Sequence, residues 1–309
     1  MITITLNPAL DISGTVDNLI PDEKSYVYGE IHTPGGNGIN AAIVAHRIGV
    51  DVVTSGFLGG TNGEEIRSLL DAQNVNHSFI SISNNTRMNL TISNSKNHKQ
   101  TRLSFPGPKI LPEELRKIEN FLLKIRSQDI VVLGGSLPPG VKTSYVAKIV
   151  KSLKDRGIIC IVDMPGLHLS KVIFSKPFLI KPNLIEFQAL VKKNVFEIKT
   201  ILPLVRKLNK KVPLICVSSV EGGAILVTKD EAWYGKIPKV KIRSSVGAGD
   251  SMVGAISAAL IKNPQTPLND LLREGLAAAC ATLAEPGMAL ASRKNFYKYL
   301  SKISLKQID

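Results

Sequence analysis

The sequence has 309 residues, of which 44% are hydrophobic, and its formal net charge is +14. This length accommodates one large domain or two smaller ones, with enough apolar residues for a substantial core. No apolar run approaches the roughly 20 residues of a membrane-spanning helix, so we expect no membrane partner. The lysines are scattered and aromatic residues make up only 5%, which argues against a nucleic-acid partner. An anionic small-molecule substrate would suit the positive charge.

The start of the chain and its cysteines indicate a reducing compartment. The first residues, MITITLNPALD, are typical of a strand followed by a turn and lack the basic segment of a signal peptide. The cysteines, Cys160, Cys216 and Cys280, are widely spaced and lie in apolar stretches. We expect buried free thiols and a cytoplasmic location.

Strand-like and helix-like segments alternate along most of the chain. Apolar runs rich in β-branched residues predict buried strands, in chain order MITITL, DVVTSGFLG, DIVVLGG, GIICIVDM, FLIKPN, LICVSS and GGAILVT. Helical patterns lie between them, in chain order GINAAIVAHRIG, NGEEIRSLLDAQN, PEELRKIENFLLKI, TSYVAKIVKSLKDRG, NLIEFQALVKK and VFEIKTILPLVRKLNK. The last third is mostly helical. This alternation predicts an α/β fold with a mainly parallel, doubly wound sheet.

Two segments, residues 12–33 and 86–105, interrupt the alternation. Apolar and polar residues alternate in both, which predicts antiparallel strands and hairpins with one solvated face. We expect them to pair into a small sheet, here called the lid, that covers a site or offers its apolar face to a second subunit. The lid carries Lys24 and Arg87. An arginine fork is a natural partner of a phosphate, although each cation can equally be a surface charge.

A glycine-rich turn, PGGNGINAA, precedes the first predicted helix. Gly35, Gly36 and Gly38 allow close approach to the backbone, and Asn40 enters the first helical turn. The spacing differs from the G-x-G-x-x-G of dinucleotide-binding folds, and plain turn chemistry explains the glycines equally well. A later turn, GGSLPPG, follows an apolar strand at the edge where open α/β sheets bind ligands. Its Ser136 is a candidate donor to a substrate oxygen, or simply a turn residue.

Lys181, Asn183 and Glu186 lie in the stretch KPNLIEF, where a strand gives way to a helix. Asn183 and Glu186 are three residues apart, so their oxygen atoms share one face of a helix start. An amide and a carboxylate suit a magnesium ion that keeps most of its waters and bridges phosphates. The same two residues also fit a capping box, with Asn183 as the N-cap.

The stretch SSVGAGDSMVGA places an acid beside three small residues. Gly247, Ala248 and Gly249 are unsuited to a helix interior, so they mark a loop that turns into a buried helix. The first N–H groups of such a helix lack partners and bind anions. Asp250 would repel a resident anion, but it fits a site where a phosphoryl group is transferred and the acid accepts a proton.

These stretches resemble the signatures of one kinase family. GGNGINAA, followed by Gly49 and Gly59, is similar to the N-terminal signature of the ribokinase-like (PfkB-type) sugar kinases, and SSVGAGDSMVGA resembles their C-terminal signature. The stretches TLNPALD, TR-x-N, GGSLPPGVK and GAGDSMVGA are most similar to the sugar-phosphate branch. That branch includes the minor type of 6-phosphofructokinase, 1-phosphofructokinase and tagatose-6-phosphate kinase.

The resemblance implies a three-layer α/β/α sandwich with a β-sheet lid, in one domain over residues 1–309. The lid of such kinases often clasps the lid of a second subunit, so we expect a homodimer. ATP and Mg²⁺ are the implied donor and metal. The implied acceptor is fructose 6-phosphate, with fructose 1-phosphate and tagatose 6-phosphate as alternatives. A non-catalytic sugar-phosphate sensor is a distant alternative.

The resemblance also implies roles for individual residues. Asp250 matches the catalytic base, and the amides of Gly247, Ala248 and Gly249 match an anion hole. Sugar hydroxyls are held at the positions of Asp11, Gly35, Gly36 and Asn40. The sugar's phosphate is contacted at the positions of Arg87 and Lys24, the lysine reaching across a dimer. ATP phosphates and magnesium are served by the region of Lys181, Asn183 and Glu186, and the nucleotide loop contains Ser218 and Gly223.

Four residues depart from the family's pattern. Asn37 stands in the GG-x-G turn where Lys or Gly is usual, and Val220 replaces a glycine after Ser218. Ser245 replaces a threonine before the anion hole. Glu285 occupies a region where an amide or small residue is usual, and this departure puts a monovalent-cation site or an allosteric nucleotide site in question. None of the four removes the base or the anion hole.

Overall fold

The structure is a computed structural model that describes residues 1–97 and 99–309. Its strands are β1 (Ile2–Thr5), β2 (Ala9–Val16), β3 (Tyr28–Gly35), β4 (Val53–Leu58), β5 (Ile80–Ser81), β6 (Arg87–Asn94), β7 (Gln100–Ser104), β8 (Ile130–Gly134), β9 (Ile159–Asp163), β10 (Leu179–Ile180), β11 (Leu214–Val220), β12 (Gly223–Val227), β13 (Ala232–Lys236) and β14 (Ser304–Gln307). Its helices are α1 (Asn37–Arg47), α2 (Gly60–Asp71), α3 (Pro112–Leu123), α4 (Thr143–Asp155), α5 (Gly166–Val172), α6 (Leu184–Val191), α7 (Ile198–Leu208), α8 (Ala248–Lys262), α9 (Leu268–Ala284) and α10 (Arg293–Leu300).

The main sheet has ten strands, in the order β14-β13-β12-β11-β10-β9-β8-β1-β4-β5. The seven neighbouring strands β11, β10, β9, β8, β1, β4 and β5 are parallel to one another. Strands β12, β13 and β14 extend the sheet beyond β11 with antiparallel pairings. The seven strands predicted from apolar runs are all present. The edge strand β14 and its neighbour β13 were not predicted, because SLKQ and AWYGK contain no run of β-branched residues.

Helices cover both faces of this sheet. One hydrophobic cluster contains side chains of α1, α2, α8, α9 and α10, and a second contains side chains of α3 through α7. The strands divide their residues between the clusters: in β8, Ile130 and Val132 belong to the first, and Val131 and Leu133 to the second. Both faces are therefore buried, which is why the strands are continuous apolar runs. The predicted three-layer α/β/α sandwich is confirmed.

The lid is a separate four-stranded sheet in the order β3-β2-β6-β7. Pairs β2–β3 and β6–β7 are antiparallel, as predicted, but β2 and β6 pair in parallel over Ala9–Val16 and Arg87–Asn94. The alternation within each segment predicted the two hairpins but did not indicate this parallel junction between them. Strand β2 follows β1 and β6 follows β5, and β1 and β5 run in the same direction, so both lid hairpins leave the main sheet at one edge.

The cysteines agree with a further expectation from the sequence. All three cysteines are buried free thiols. Among residues 1–97 and 99–309, no helix is both long enough and apolar enough to cross a membrane.

Candidate active site

Helix α8 begins at a loop in the left-handed conformation. Gly247, its N-cap, has φ 75°, which a residue with a side chain rarely adopts. The first hydrogen bond of the helix is donated by the Ser251 N–H to the Gly247 carbonyl at 2.8 Å. The amides of Ala248, Gly249 and Asp250 therefore precede the helical hydrogen bonds and point out of the N-terminus. This geometry suits an anion.

Asp250 lies in the first turn of α8 and is half-buried. The side-chain amide of Asn40, in the first turn of α1, donates to its Oδ2 at 2.7 Å. Burial, and after it the carboxylate of Asp163, raises the pKa of Asp250 to about 6, although Asn40 and Lys181 act in the opposite direction. A carboxyl group with such a pKa can exchange a proton close to neutral pH.

A buried ion pair lies beside this carboxyl group. Lys181 Nζ is 3.3 Å from Asp163 Oδ1, and the two side chains are only 5% and 6% exposed. Burial alone would lower the pKa of Lys181, but nearby acids, Asp163 foremost, outweigh it and raise the pKa. A Cβ atom added at Gly249 would lie 3.0 Å from Lys181 Nζ. The ammonium group therefore adjoins the free amides at the start of α8.

The turn between β3 and α1 packs tightly against the site. Gly36 has φ 123°, and a Cβ atom there would lie 2.6 Å from Thr5 Cγ2. Asn37, the first residue of α1, donates from Nδ2 to Asp163 Oδ2 at 3.3 Å. The carboxylate of Asp163 thus bridges Asn37 and Lys181.

Asp11 supplies a second buried carboxylate, on lid strand β2. Asn89 donates to its Oδ1 at 2.7 Å, and burial raises the pKa of Asp11. A Cβ atom at Gly35 would lie 2.1 Å from Asp11 Oδ2, so this close approach requires glycine. The Asn89 Oδ1 atom is itself buried without a hydrogen-bond partner in the described chain. The base of the lid therefore presents polar groups suited to hydroxyl ligands.

Arg87 lies at the start of lid strand β6, and backbone carbonyls hold its guanidinium. Its Nη1 donates to Phe105 at 2.8 Å, its Nη2 to Asn7 at 3.0 Å, and its Nε to Pro8 at 3.4 Å. Burial lowers the pKa of Arg87, while Asp11 opposes the shift. A guanidinium has five N–H donors, so the group keeps donor capacity for a ligand.

An open cleft of about 840 Å³ runs along the lid base. Its lining includes Arg87, Asn37, Ser136 and Glu186. Asn7 donates to Ser136 Oγ at 3.1 Å, which fixes the serine in the wall. The cleft thus brings the predicted phosphate contact Arg87 and the predicted metal contact Glu186 to one cavity.

Asn183 and Glu186 form the capping box of α6. The Glu186 N–H donates to Asn183 Oδ1 and the Asn183 N–H donates to Glu186 Oε2, both at 2.9 Å. Burial, the largest cause, raises the pKa of Glu186. Glu186 Oε1 makes no hydrogen bond in the described chain. No group of three His, Cys, Asp or Glu residues within residues 1–97 and 99–309 forms a ready metal cage.

Ser218 and Gly223 lie on either side of the β11–β12 turn. Ser218 donates its N–H to the Pro182 carbonyl at 3.1 Å, which places it next to Asn183. Gly223 is buried, and a Cβ atom there would lie 1.9 Å from the Gly235 carbonyl. This close approach of two strands requires glycine at the start of β12, beside the turn that the sequence assigned to the nucleotide. Val220 is fully buried in the core.

Lys24 is a predicted contact that lies away from the cleft. Its side chain is exposed in the lid's β2–β3 connection, and Nζ lies 4.7 Å from the ring centre of Tyr26. Within one chain Lys24 is a surface cation, because the connection leads away from the sheet edge where the other residues meet.

Comparison with known protein families identifies the family of this chain. The family described as "pfkB family carbohydrate kinase" matches residues 5–295. The chain belongs to the pfkB family of carbohydrate kinases. It is a phosphotransferase of the carbohydrate kinase class.

Two curated relatives of this pfkB kinase illustrate the range of the family. The ATP-dependent 6-phosphofructokinase isozyme 2 of Escherichia coli (strain K12) is 33% identical over 306 residues, covering 97% of this chain and 98% of the relative. A tagatose-6-phosphate kinase of Staphylococcus epidermidis is 35% identical over 266 residues, covering 84% and 85%.

Solved structures of phosphofructokinase-2 from Escherichia coli have the same fold. The complex with substrates and products has a TM-score of 0.93 at 32% identity and covers 98% of both chains. A tetrameric inhibited form has a TM-score of 0.91 at 32% identity and covers 97% of this chain and 98% of that chain.

Sequence reasoning missed two residues of the pfkB kinase site. Asp163 ends strand β9 and pairs with Lys181, and Asn89 holds Asp11. The position of Asp163 at the end of an apolar strand was a usable signal, since ligands bind beyond the carboxyl ends of parallel strands. Asn89 lies two residues after Arg87 and therefore on the same lid face.

Proposed function

We propose that this kinase transfers the γ-phosphoryl group of ATP to the primary hydroxyl of fructose 6-phosphate, giving fructose 1,6-bisphosphate and ADP. The observation that carries the proposal is Asp250, whose raised pKa and position beside the free amides of α8 and the Lys181 ammonium combine a base with an anion site. The relatives' substrates suggest a phosphorylated ketohexose.

Asp250 acts as the general base. With a pKa of about 6 it is largely ionised at neutral pH, and it accepts the hydroxyl proton as the oxygen attacks phosphorus. The bond from the γ-phosphorus to the bridging oxygen of ADP breaks as the new P–O bond forms. The amides of Ala248 and Gly249 and the ammonium of Lys181 stabilise the negative charge on the transferred group.

The acceptor is held at the lid base. Asp11, Asn40 and the unpartnered oxygen of Asn89 bind its hydroxyls, with Gly35 and Gly36 allowing close approach. Arg87 and Ser136, in the wall of the cleft, bind the phosphate that the sugar already carries. A phosphate contact at this position favours a sugar phosphate over a free sugar.

The donor side lies across α6. Lys181, Asn183 and Ser218 face the ATP phosphates, and the packing of Gly223 holds the turn beside them. Glu186 Oε1, left free by the capping box, and Asn183 would hold Mg²⁺ mostly through water, a hard oxygen set that suits this ion. Bound there, Mg²⁺ would neutralise phosphate charge.

The lid also supports assembly. Lid residues of the pfkB kinase expose apolar side chains, namely Val27, Tyr28, Ile31, Met88 and Leu103. Strand register places Ile31 on the face of Asp11, and Met88 and Leu103 on the opposite face. Apolar side chains exposed on the two faces of the lid favour burial against a second subunit. We propose a homodimer through the lid, which would also give Lys24 a route to the partner's site, and a cytoplasmic enzyme with reduced thiols.

A substrate screen tests the proposal. ADP release would be measured with ATP, Mg²⁺ and, in separate reactions, fructose 6-phosphate, fructose 1-phosphate, tagatose 6-phosphate and unphosphorylated fructose. We expect the highest kcat/KM with fructose 6-phosphate. Preference for another sugar phosphate would establish one of the two alternative kinases, and binding without turnover would establish a sensor. Equal use of free fructose would refute the phosphate site.

A further inference from the structure

Lid strand β7 carries Arg102 on the face of the lid that also lines the cleft. Strand register pairs Asp11 with Asn89 and Asn89 with Ser104 in one row. The next row on the same face pairs Ser13 with Thr91 and Thr91 with Arg102. Because side chains two residues apart share a face of a strand, Arg102 lies on the face of Asp11 and Asn89, farther from the lid base.

The side chain of Arg102 contacts the loop before α8. Its Nη2 donates to Ser245 Oγ at 3.3 Å, and the same nitrogen lies 3.3 Å from Gln100 Oε1. Ser245 comes two residues before Gly247, the N-cap of the anion-binding helix. Among residues 1–97 and 99–309, the bond from Arg102 to Ser245 is the hydrogen bond that joins strand β7 to the loop before α8.

We propose that Arg102 is a positioning residue that holds the lid over the anion hole through Ser245. The inference rests on the proposed kinase function. It assigns the exposed arginine a task distinct from that of Arg87, which is anchored to backbone carbonyls at the lid base. With the lid held down, water is kept from the γ-phosphoryl group, and the sugar hydroxyl is the acceptor that remains.

The chemistry of the contact suits a reversible closure. Both Arg102 and Ser245 are exposed, so their bond competes with water and breaks readily. A lid that opened only at large cost would trap the product, whereas a weak contact permits exchange of ligands between turnovers. The arginine also stands on β7, the edge strand of the lid.

The first test measures how tightly ATP use is coupled to sugar phosphorylation. ADP and phosphorylated sugar are quantified in the same reaction for wild type, Arg102→Gln and Ser245→Ala. We expect a ratio of ADP to phosphorylated sugar of about 1 for wild type. Uncoupled ATP hydrolysis should be about 2- to 10-fold faster in both variants, which is the range for loss of one net hydrogen bond. Arg102→Lys should recover part of the coupling. Arg116→Gln, an exposed arginine on α3, serves as the matched control.

A double-mutant comparison shows whether the two residues act together. If Arg102 acts through Ser245, uncoupled ATP hydrolysis by the double variant should be no faster than that by either single variant. Faster uncoupled hydrolysis in Arg102→Gln but not in Ser245→Ala would overturn the proposal, since the arginine would then contact phosphate directly. Ratios equal to wild type in both variants would overturn it as well.

The second test needs no substrate. Amide hydrogen exchange of residues 100–104 is compared in ligand-free wild type and Arg102→Gln, with far-ultraviolet circular dichroism as the folding control. We expect faster exchange confined to the lid. If fructose 6-phosphate proves not to be the acceptor, the substrate assignment fails while this measurement still decides the role of Arg102. Unchanged exchange would contradict the lid contact.

Discussion

The protonation of Asp250 should be visible in the pH dependence of catalysis. A pKa of about 6 makes the carboxyl group about nine-tenths ionised at pH 7 and about one-tenth ionised at pH 5. A general base works only when ionised. We therefore expect kcat/KM for the sugar phosphate to fall on the acid side with a midpoint near pH 6, and to reach about a tenth of its plateau at pH 5.

Two neighbours of Asp250 should move this midpoint in opposite directions. Asn40→Ala removes the 2.7 Å hydrogen bond that favours the carboxylate. A hydrogen bond to a charged group contributes about 1.5–3 kcal/mol, which corresponds to an upward displacement to about pH 7 or higher. Asp163→Asn removes a negative charge that disfavours the carboxylate and releases Lys181 toward it. The midpoint should then fall below pH 6.

The substrate titrates in the same range, and the design has to account for it. The second pKa of a phosphate monoester is about 6, so the wild-type profile alone is ambiguous. ADP release from pH 5 to 8 is therefore recorded for wild type, both variants and Arg116→Gln with one sugar phosphate, because the substrate affects every profile equally. If the acid-side midpoints of kcat/KM are the same in wild type and in both neighbour variants, the loss of activity at low pH cannot be assigned to Asp250. So would an Asp250→Asn enzyme that keeps more than about a hundredth of wild-type kcat.

Three further results are expected. Arg87→Ala should raise KM for the sugar phosphate about 10- to 150-fold and KM for ATP much less, because a charge-assisted bond is lost; equal changes in both constants would place the arginine outside the phosphate site. Gly247→Ala should destabilise the fold by about 1–2 kcal/mol in urea unfolding, since φ 75° is strained for alanine, and an unchanged midpoint would contradict that strain. Hydrogen bonds to Glu65 and Glu30 raise the pKa of His32, so their stabilisation is complete below the ordinary pKa and is lost as pH rises through the raised one. The Tm difference between wild type and His32→Gln should shrink over that window, and a constant difference would refute the ion cluster.

The fold could be predicted wherever local pattern and tertiary burial coincide. In the β8 run, Ile130 and Val131 belong to opposite hydrophobic clusters, so a sheet covered on both faces leaves its mark in consecutive residues. The edge strand β14 has one intermediate and three exposed residues, and no apolar pattern marks it. The parallel junction of β2 with β6 depends on where two distant segments leave the main sheet, which alternation within either segment cannot show.

In the site, too, features set by neighbouring residues could be predicted from the sequence, whereas features set by distant residues could not. The turn that starts α8 could be predicted, because Gly247 and the unpaired amides after it follow from a few consecutive residues. The raised pKa of Asp250 could not, because its causes lie in Asn40, Asp163 and Lys181, between 69 and 210 positions away in the sequence. Only the convergence of β9, β10 and α1 at one edge of the sheet brings these groups together.

The capping box of α6 shows that a structural and a functional interpretation need not compete. Glu186 uses one oxygen, Oε2, to accept from the Asn183 N–H, and this bond fixes the direction of the carboxylate at the start of the helix. Its second oxygen is thereby held without a protein partner in the described chain, in the wall of the cleft. A carboxylate that is fixed through one oxygen loses little rotamer freedom when a cation or its water binds the other. In the proposed metal role of Glu186, the same hydrogen bond would serve the helix and orient the carboxylate.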